Sequence, residues 1–436
     1  MLNPINLSAI LAEVLDPTTK GYPLSSAAMP LAAVGDQGWS LLAGDLPLPL
    51  AVIRYSALAH NHTWMRDFTA ATGVLLAPHG KTTMAPQIFA QQLAAGAWGM
   101  TVANVQQLGI CARFGVRRVI MANQLLGALE VRTVIGLQEQ HPDLEFHFLV
   151  DSLAQLAAIE AVAADRALSR KLTALVELGV PGARTGVRTR DDALAVARAV
   201  AASSVVALSG LECYEGLNIS GDSAQDAATV GVLMQRVKDV ALACDRDGLF
   251  AGPSIVLTAG GSAAFDIVAR ELPMRLSKPV LTILRSGCYV THDSGNYNRL
   301  LEGVKARSGA AWQTRPGLQP ALEVWSRVQS CPEPGLAILT MGKRDASYDI
   351  EMPIPVKRYR PGAGTSPQPA PVSWKVGAMN DQHAYLRFPA DDGDPPQVGD
   401  LVGCGISHPC TTFDKWRVLF TIDDDYCVTG AIRTFF

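Results

Sequence analysis

Four short segments of the 436-residue chain carry residue types that could do cofactor chemistry. In PHGKTTMAP, residues 78–86, Lys81 comes directly after an apolar run, and in a barrel the C-terminal rim of the strands is the active-site face. Gly80-Lys81-Thr82 is not the end of a phosphate-binding P-loop, because that motif needs glycine five residues before Gly80 and position 75 is Leu. LTAGGSAAFD supplies Gly260, Gly261 and Ser262, and LRSGCYV supplies Gly287, Cys288 and Tyr289. Glycines there let backbone N–H groups approach an anion, although each segment alone reads equally well as a tight turn. Taken with Lys81, they describe a phosphate-bearing cofactor within reach of an amine. Pyridoxal 5'-phosphate held as a Schiff base is the economical candidate. In the fourth segment, GISHPCTTFDKW, His408 and Cys410 are two apart, so a strand would send both to one face. Imidazole and thiolate together suit zinc, and two ligands leave coordination positions open; the same residues alone read equally as a turn with a buried cysteine.

The elements that must position these groups are legible as eight apolar runs of strand length, at 73–78, 98–102, 118–122, 144–150, 172–178, 206–212, 254–258 and 281–285, separated by Ala-rich helical patterns. Continuous apolar strands alternating with helices predict an α/β fold with a parallel sheet buried on both faces. Eight repeats fit a closed (β/α)₈ TIM-type barrel, and a doubly wound open sheet gives the same local pattern. After Gly295 alternating runs such as LAILTMG, YDIEMPIPV and CVTGAIRTFF, with no long helical pattern, predict a second, antiparallel β domain. The division expected is a cofactor-binding barrel over 51–295 and a C-terminal β domain over 296–436, joined by part of 1–50. There LSAILAEVLD reads as an amphipathic helix, and PLAVIRYSAL as a strand for either domain. His60 and His62 read as surface or capping residues beside a helix start.

Composition narrows the function classes. With 48% hydrophobic and 18% charged residues, 37 basic against 40 acidic, neither disorder nor a polyelectrolyte partner is indicated, and nucleic-acid binding is disfavoured. The first 20 residues lack a basic n-region and are interrupted by Glu13 and Asp16, which argues against a signal peptide and for a cytoplasmic protein. Residues 82–112 are uncharged but contain too many Gln and Asn side chains for a span, so no membrane segment is predicted. The eight cysteines show no C-x-x-C spacing and read mostly as reduced, buried small hydrophobes.

PHGKTTMAP, GARTG at 182–186, LECYEG and the TAGGS loop together resemble the D-serine dehydratase and D-threonine aldolase group of alanine-racemase-like (fold-type III) enzymes. The resemblance covers nearly the whole chain. It implies a PLP barrel followed by a β domain, assembled as a homodimer. It also implies that Lys81 is the Schiff-base lysine, that Arg184 and Tyr214 contact or orient the cofactor ring, that Gly260, Gly261, Ser262, Gly287 and Tyr289 form the phosphate cradle, and that His79 and Thr82 flank the lysine. It places a divalent metal on a His-x-Cys or His-x-Asp pair. The Cys form present here as His408 and Cys410 is nearer the zinc-dependent D-serine dehydratases than the aldolases. MGKRDASYDIEMP resembles a Lys-x-x-Ser-x-Asp motif of the group, but with Arg344 at the lysine position. The activity these features predict is a PLP- and metal-dependent dehydratase (ammonia-lyase) of a small D-3-hydroxy-amino acid, D-serine first. Lys81 would remove the Cα proton and the metal would stabilise the leaving hydroxide. The alternatives are D-threonine aldolase chemistry on the same scaffold, and a PLP-binding protein without turnover, against which the β domain and the His408/Cys410 pair count.

Overall fold

The structure, a computed structural model, describes residues 5–164, 166 and 168–436. Eight parallel strands form one sheet: β1 (Leu75–Leu76), β2 (Met100–Val102), β3 (Arg118–Gln124), β4 (Glu145–Val150), β5 (Leu172–Leu178), β6 (Val206–Cys213), β7 (Ile255–Ala259) and β8 (Val280–Leu284). Each overlaps one of the eight apolar runs. From β2 to β8 sequence neighbours are sheet neighbours, and β8 returns to β1 with Ile283 opposite Leu75. The ring closes between β1 and β2, where Trp98 N–H donates to the Leu76 carbonyl at 2.7 Å and Thr101 N–H to that of Pro78 at 2.8 Å. The strands read as continuous apolar runs because both faces are covered: Trp98, Ile120, Leu149, Leu175, Val256 and Ile283 fill the axis, and the helices cover the outside. Several helices start where a polar side chain accepts the N–H three residues on, as Asn104, Ser152 and Thr189 do.

The second unit is built on β9 (Leu322–Glu333), β10 (Leu336–Leu339), β11 (Ile354–Tyr359), β12 (Lys375–Met379), β13 (Ala384–Arg387), β14 (Leu401–Gly405), β15 (Val418–Ile422) and β16 (Val428–Arg433). β14 lies between β9 and β11, antiparallel to both. Strand Leu50–Arg54 joins this sheet, with Val52 opposite Glu323 of β9 and parallel to Phe420 of β15. The barrel boundary expected at residue 51 is therefore corrected: a fully buried apolar strand fits either sheet, and only its pairing decides. The barrel unit starts with helix Tyr55–Thr72.

Three further expectations change. Helix Asn296–Arg307 follows Gly295, where no long helix was expected; it buries Leu301 and Val304, and Arg307 holds Asp266 at 2.8 and 3.0 Å. The N-terminal helix is a single turn, Ser8–Leu11. His60 and His62 lie inside helix Tyr55–Thr72 rather than at its start, and His62 is buried with Nε2 3.2 Å from Gln91 Oε1. Among the described residues no helix is long and apolar enough to cross a membrane.

Burial pushes His62 from 6.5 down to about 4, against a weaker opposing effect of Gln91. The unfolded chain takes up a proton there below pH 6.5, whereas the folded chain takes none until about 4. The neutral site's contribution is therefore intact above that window and lost as pH falls through it. The full shift is worth about 3 kcal/mol. The urea midpoint of the wild type should fall more steeply across this range than that of His62→Gln, as read by unfolding curves at a series of pH values. Parallel pH profiles would contradict this.

Candidate active site

At the C-terminal rim of the barrel a cavity of about 310 Å³ is walled by both units, by His79, Lys81, Arg184, Glu212 and Tyr214 on one side and by Ile350, His408 and Cys410 on the other. Lys81 sits in a one-turn 3₁₀ segment, Gly80–Thr82, directly after β1. Gly80 is required there, since a Cβ would lie 2.9 Å from the Phe89 ring. The Lys81 side chain stands in the open cavity while Thr82 behind it is buried. Burial, and next the charge of Lys81, hold the His79 imidazole well below its usual pKa, so it is neutral. Its buried Nδ1 has no partner among the described residues.

The two glycine loops reach the cavity but present their N–H groups differently from the expectation. Gly260 N–H and Gly261 N–H both donate to the Glu215 carboxylate, at 3.0 and 2.6 Å, and are not offered to a phosphate. Ser262 and Gly287 also line the cavity. The Ser262 hydroxyl accepts from Cys288 N–H at 3.2 Å, and a Cβ on Gly287 would meet the His79 carbonyl at 2.6 Å and Thr82 Oγ1 at 2.7 Å. The place given to Tyr289 in the cradle is also corrected. In the 3₁₀ turn Cys288–Val290 the Cys288 side chain faces the cavity. Tyr289 instead turns into the core, stacks edge-on against His62 and accepts a hydrogen bond from Gln92 at 3.3 Å. Arg184 lies over the Tyr214 ring at 4.9 Å, both on the wall, and burial, then Glu215, pushes the Tyr214 hydroxyl up to about 12.

Sequence reasoning missed Glu212 and Arg285, which form a buried ion pair at the cavity floor, Arg285 Nη2 to Glu212 Oε1. The other carboxylate oxygen, Oε2, is buried without a partner among the described residues. Burial raises the Glu212 pKa to about 8, with Arg285 opposing. The available signal was a charge at the end of each of two otherwise apolar runs, VALSGLE and LTILR.

His408 and Cys410 are brought together, though in a turn leading into helix Cys410–Phe413 and not on a strand. Asp349 Oδ2 meets His408 Nδ1 at 2.6 Å, leaving Nε2 as the ring's other donor, and Thr411 holds the second Asp349 oxygen at 2.7 Å. Cys410 Sγ lies 3.7 Å from Cys288 Sγ and 3.4 Å from Thr82 Oγ1. The Cys288 thiol, and then His408, hold Cys410 well below its usual pKa despite burial. A thiolate beside an oriented imidazole suits a thiophilic divalent ion. Among the described residues no group of three or more His, Cys, Asp or Glu is arranged to hold a metal ion, so a metal on His408 and Cys410 would leave positions for water or substrate. Arg344 is outside the cavity, on the surface beside Asp381 at 3.1 Å.

The wall also fits a phosphorylated carbonyl cofactor. An amine, Ser262, Gly287 and two buried polar atoms without partners among the described residues, His79 Nδ1 and Glu212 Oε2, surround one space.

Residues 321–422 match the family described as "Putative serine dehydratase domain". The chain is 24% identical over 314 residues to 3-hydroxy-D-aspartate aldolase of Paracoccus denitrificans (strain Pd 1222), covering 71% of this chain and 76% of that one. It is 24% identical over 391 residues to D-threonine aldolase of an Arthrobacter species, covering 86% and 89%. In fold it is similar to D-threonine aldolase from Filomicrobium marinum, with a TM-score of 0.74, 22% identity and coverage of 91% and 97%. D-threo-3-hydroxyaspartate dehydratase from Delftia sp. HT23 gives a TM-score of 0.68, 21% identity and coverage of 91% and 99%. Alanine racemase from Bacillus anthracis shares the architecture more distantly, at a TM-score of 0.54, 13% identity and coverage of 88% and 97%. The resemblance read from the sequence, to this group within the alanine-racemase-like fold, is borne out.

The geometry separates Gly287 from Tyr289. Gly287→Ala should weaken pyridoxal 5'-phosphate binding at least about tenfold, because the new Cβ cannot be accommodated between two fixed oxygens. Tyr289→Phe should leave it within about twofold of wild type. Fluorescence titration measures both, and equal losses would return Tyr289 to the cradle.

Proposed function

We propose that the protein is a lyase of D-3-hydroxy-amino acids that holds pyridoxal 5'-phosphate on Lys81 and a divalent ion, assigned here as zinc, on His408 and Cys410. In this reading it converts D-serine to a 2-oxo acid and ammonia. The observation that carries the reading is convergence: the Lys81 amine and a His/Cys pair from the other unit line one cavity of about 310 Å³. When bound, the cofactor supplies an electron sink for charge at Cα, and the ion supplies Lewis acidity toward a leaving hydroxyl. Lys81 is the amine placed to take the Cα proton. Neutral His79 adds no competing positive charge beside it, and Asp349 fixes the orientation of the His408 ring. Arg285 is engaged by Glu212, so among the described residues Lys81 and Arg184 are the lysine and arginine on the wall without a carboxylate partner. A substrate with one carboxylate needs no more.

A retro-aldol outcome is the second reading, favoured by the similarity to 3-hydroxy-D-aspartate and D-threonine aldolases. The same His408/Cys410 ion would then hold the β-hydroxyl while that group loses its proton. A panel of D- and L-3-hydroxy-amino acids assayed separately for ammonia and aldehyde release distinguishes the two: ammonia from D-serine supports the first reading, aldehyde alone the second.

In Cys410→Ala the thiolate is lost while Lys81 and the Ser262/Gly287 pair stay in place. A Lewis-acid contribution of several kcal/mol corresponds to about a thousandfold in rate, so pyruvate formation from D-serine should nearly vanish. Exchange of the Cα proton in deuterated solvent, followed by NMR in the same sample, should persist. An equal large loss of both would move the pair's role to substrate positioning or proton abstraction.

A further inference from the structure

Glu212 ends β6 and is 1% exposed. One of its oxygens is held by Arg285, and the other, Oε2, is buried without a partner among the described residues, in a residue that lines the cavity. A buried carboxylate oxygen left unmatched is costly, so this one calls for a donor brought by whatever fills the cavity. Pyridoxal 5'-phosphate offers mostly acceptors, in its phosphate and carbonyl oxygens, and its N–H donor is the protonated ring nitrogen. Around the pyridine ring the carbonyl-bearing carbon, the phosphate arm and the nitrogen follow one another. Around the barrel Lys81 after β1, the loops after β8 and β7, and Glu212 at the end of β6 follow in the same order.

We propose that Glu212 Oε2 accepts the hydrogen bond of the protonated ring nitrogen, so that this chain holds the cofactor as a pyridinium, the form best able to delocalise negative charge from Cα. This rests on the assignment of pyridoxal 5'-phosphate to Lys81 made above. Arg285 is the cation that could instead donate to an unprotonated nitrogen, but its guanidinium is tied down by Glu212, by Thr258 Oγ1 at 2.9 Å and by the Cys213 carbonyl at 3.1 Å. In this scheme Glu212 acts on the cofactor directly and does not touch the substrate.

The test uses holoenzyme loaded with pyridoxal 5'-phosphate labelled with ¹⁵N in the ring. The ¹⁵N chemical shift of the wild type is expected in the pyridinium region at neutral pH. In Glu212→Gln, still carrying one cofactor per chain on Lys81 by borohydride reduction and peptide mapping, it should move to the neutral pyridine region, with a matching change in the visible band. A neutral nitrogen in the wild type, as donation from Arg285 or water would give, overturns the assignment. So does a pyridinium unchanged in Glu212→Gln. The wild-type spectrum decides if the variant does not fold. Failure of the underlying reading looks different: no bound cofactor, or a reduced pyridoxyl group on another lysine, overturns both.

Discussion

The site depends on one turn being gripped from two sides. The segment 79–84 leaves β1 of the barrel, and the β domain closes over it. Within the turn, Met84 N–H donates to the Gly80 carbonyl at 2.8 Å, and Gly80 packs against the Phe89 ring. From the other unit, Cys410 Sγ approaches Thr82 Oγ1 at 3.4 Å and Phe435 N–H donates to the Met84 carbonyl at 2.9 Å. Met84 is buried at φ +42°, a left-handed conformation that methionine rarely adopts and that persists only where the surroundings over-determine it. Lys81 is the part of this turn left in open space. Its backbone is rigid because its neighbours are spoken for, which is what a residue that must present an amine at a fixed point requires.

The cavity floor shows how charge is distributed around that amine. Lys81, Arg184 and Arg285 bring positive charge, and Glu212 answers it from the wall. Glu215 stands behind the wall and satisfies the Gly260 and Gly261 N–H groups. A buried ion pair such as Glu212–Arg285 gives little net stability, while removal of one member leaves a costly uncompensated charge. Its value lies in fixing polar atoms where water would otherwise wander. The same logic applies to Glu177, buried at the end of β5, which accepts from Thr185 at 2.8 Å. With Asp151, which accepts from Gly186 N–H at 3.0 Å, it anchors the GARTG loop that carries Arg184.

What was legible in the sequence follows from which forces act locally. The eight strands could be read because parallel barrel strands, buried on both faces, have no polar alternation to obscure them. Lys81 could be placed because a strand end fixes a rim position whatever the loop does. His408 and Cys410 were found as a pair because two residues apart are close in either a strand or a turn, although the conformation itself was misread. The directions of single groups were not legible. Gly260 takes φ +94°, and that torsion turns its N–H toward Glu215. Cys288 faces the cavity and Tyr289 the core because the segment is a 3₁₀ turn, in which adjacent side chains point about 120° apart. The Glu212–Arg285 pair joins residues 73 apart and exists only because β6 and β8 lie on one barrel.

The departure at Arg344 has a spatial explanation that sequence spacing could not supply. The stretch 345–349 shores up the His408 turn: Ser347 Oγ accepts from His408 N–H at 3.2 Å, Thr412 Oγ1 accepts from Ser347 N–H at 3.0 Å, and Asp349 orients the imidazole. Its anchor is Asp345, almost fully buried, which accepts from Gly342 N–H at 2.9 Å and needs a cation to offset its charge. That cation is Lys20, from the N-terminal segment, with Nζ 2.7 Å from Asp345 and 3.0 Å from the Arg344 carbonyl, over the Trp416 ring at 3.7 Å. With Asp345 already matched by Lys20, the side chain at 344 points outward and pairs with Asp381 at the surface. The segment around Lys20 thus reaches the His408/Cys410 pair through one ion pair and one short loop, without lining the cavity among the described residues.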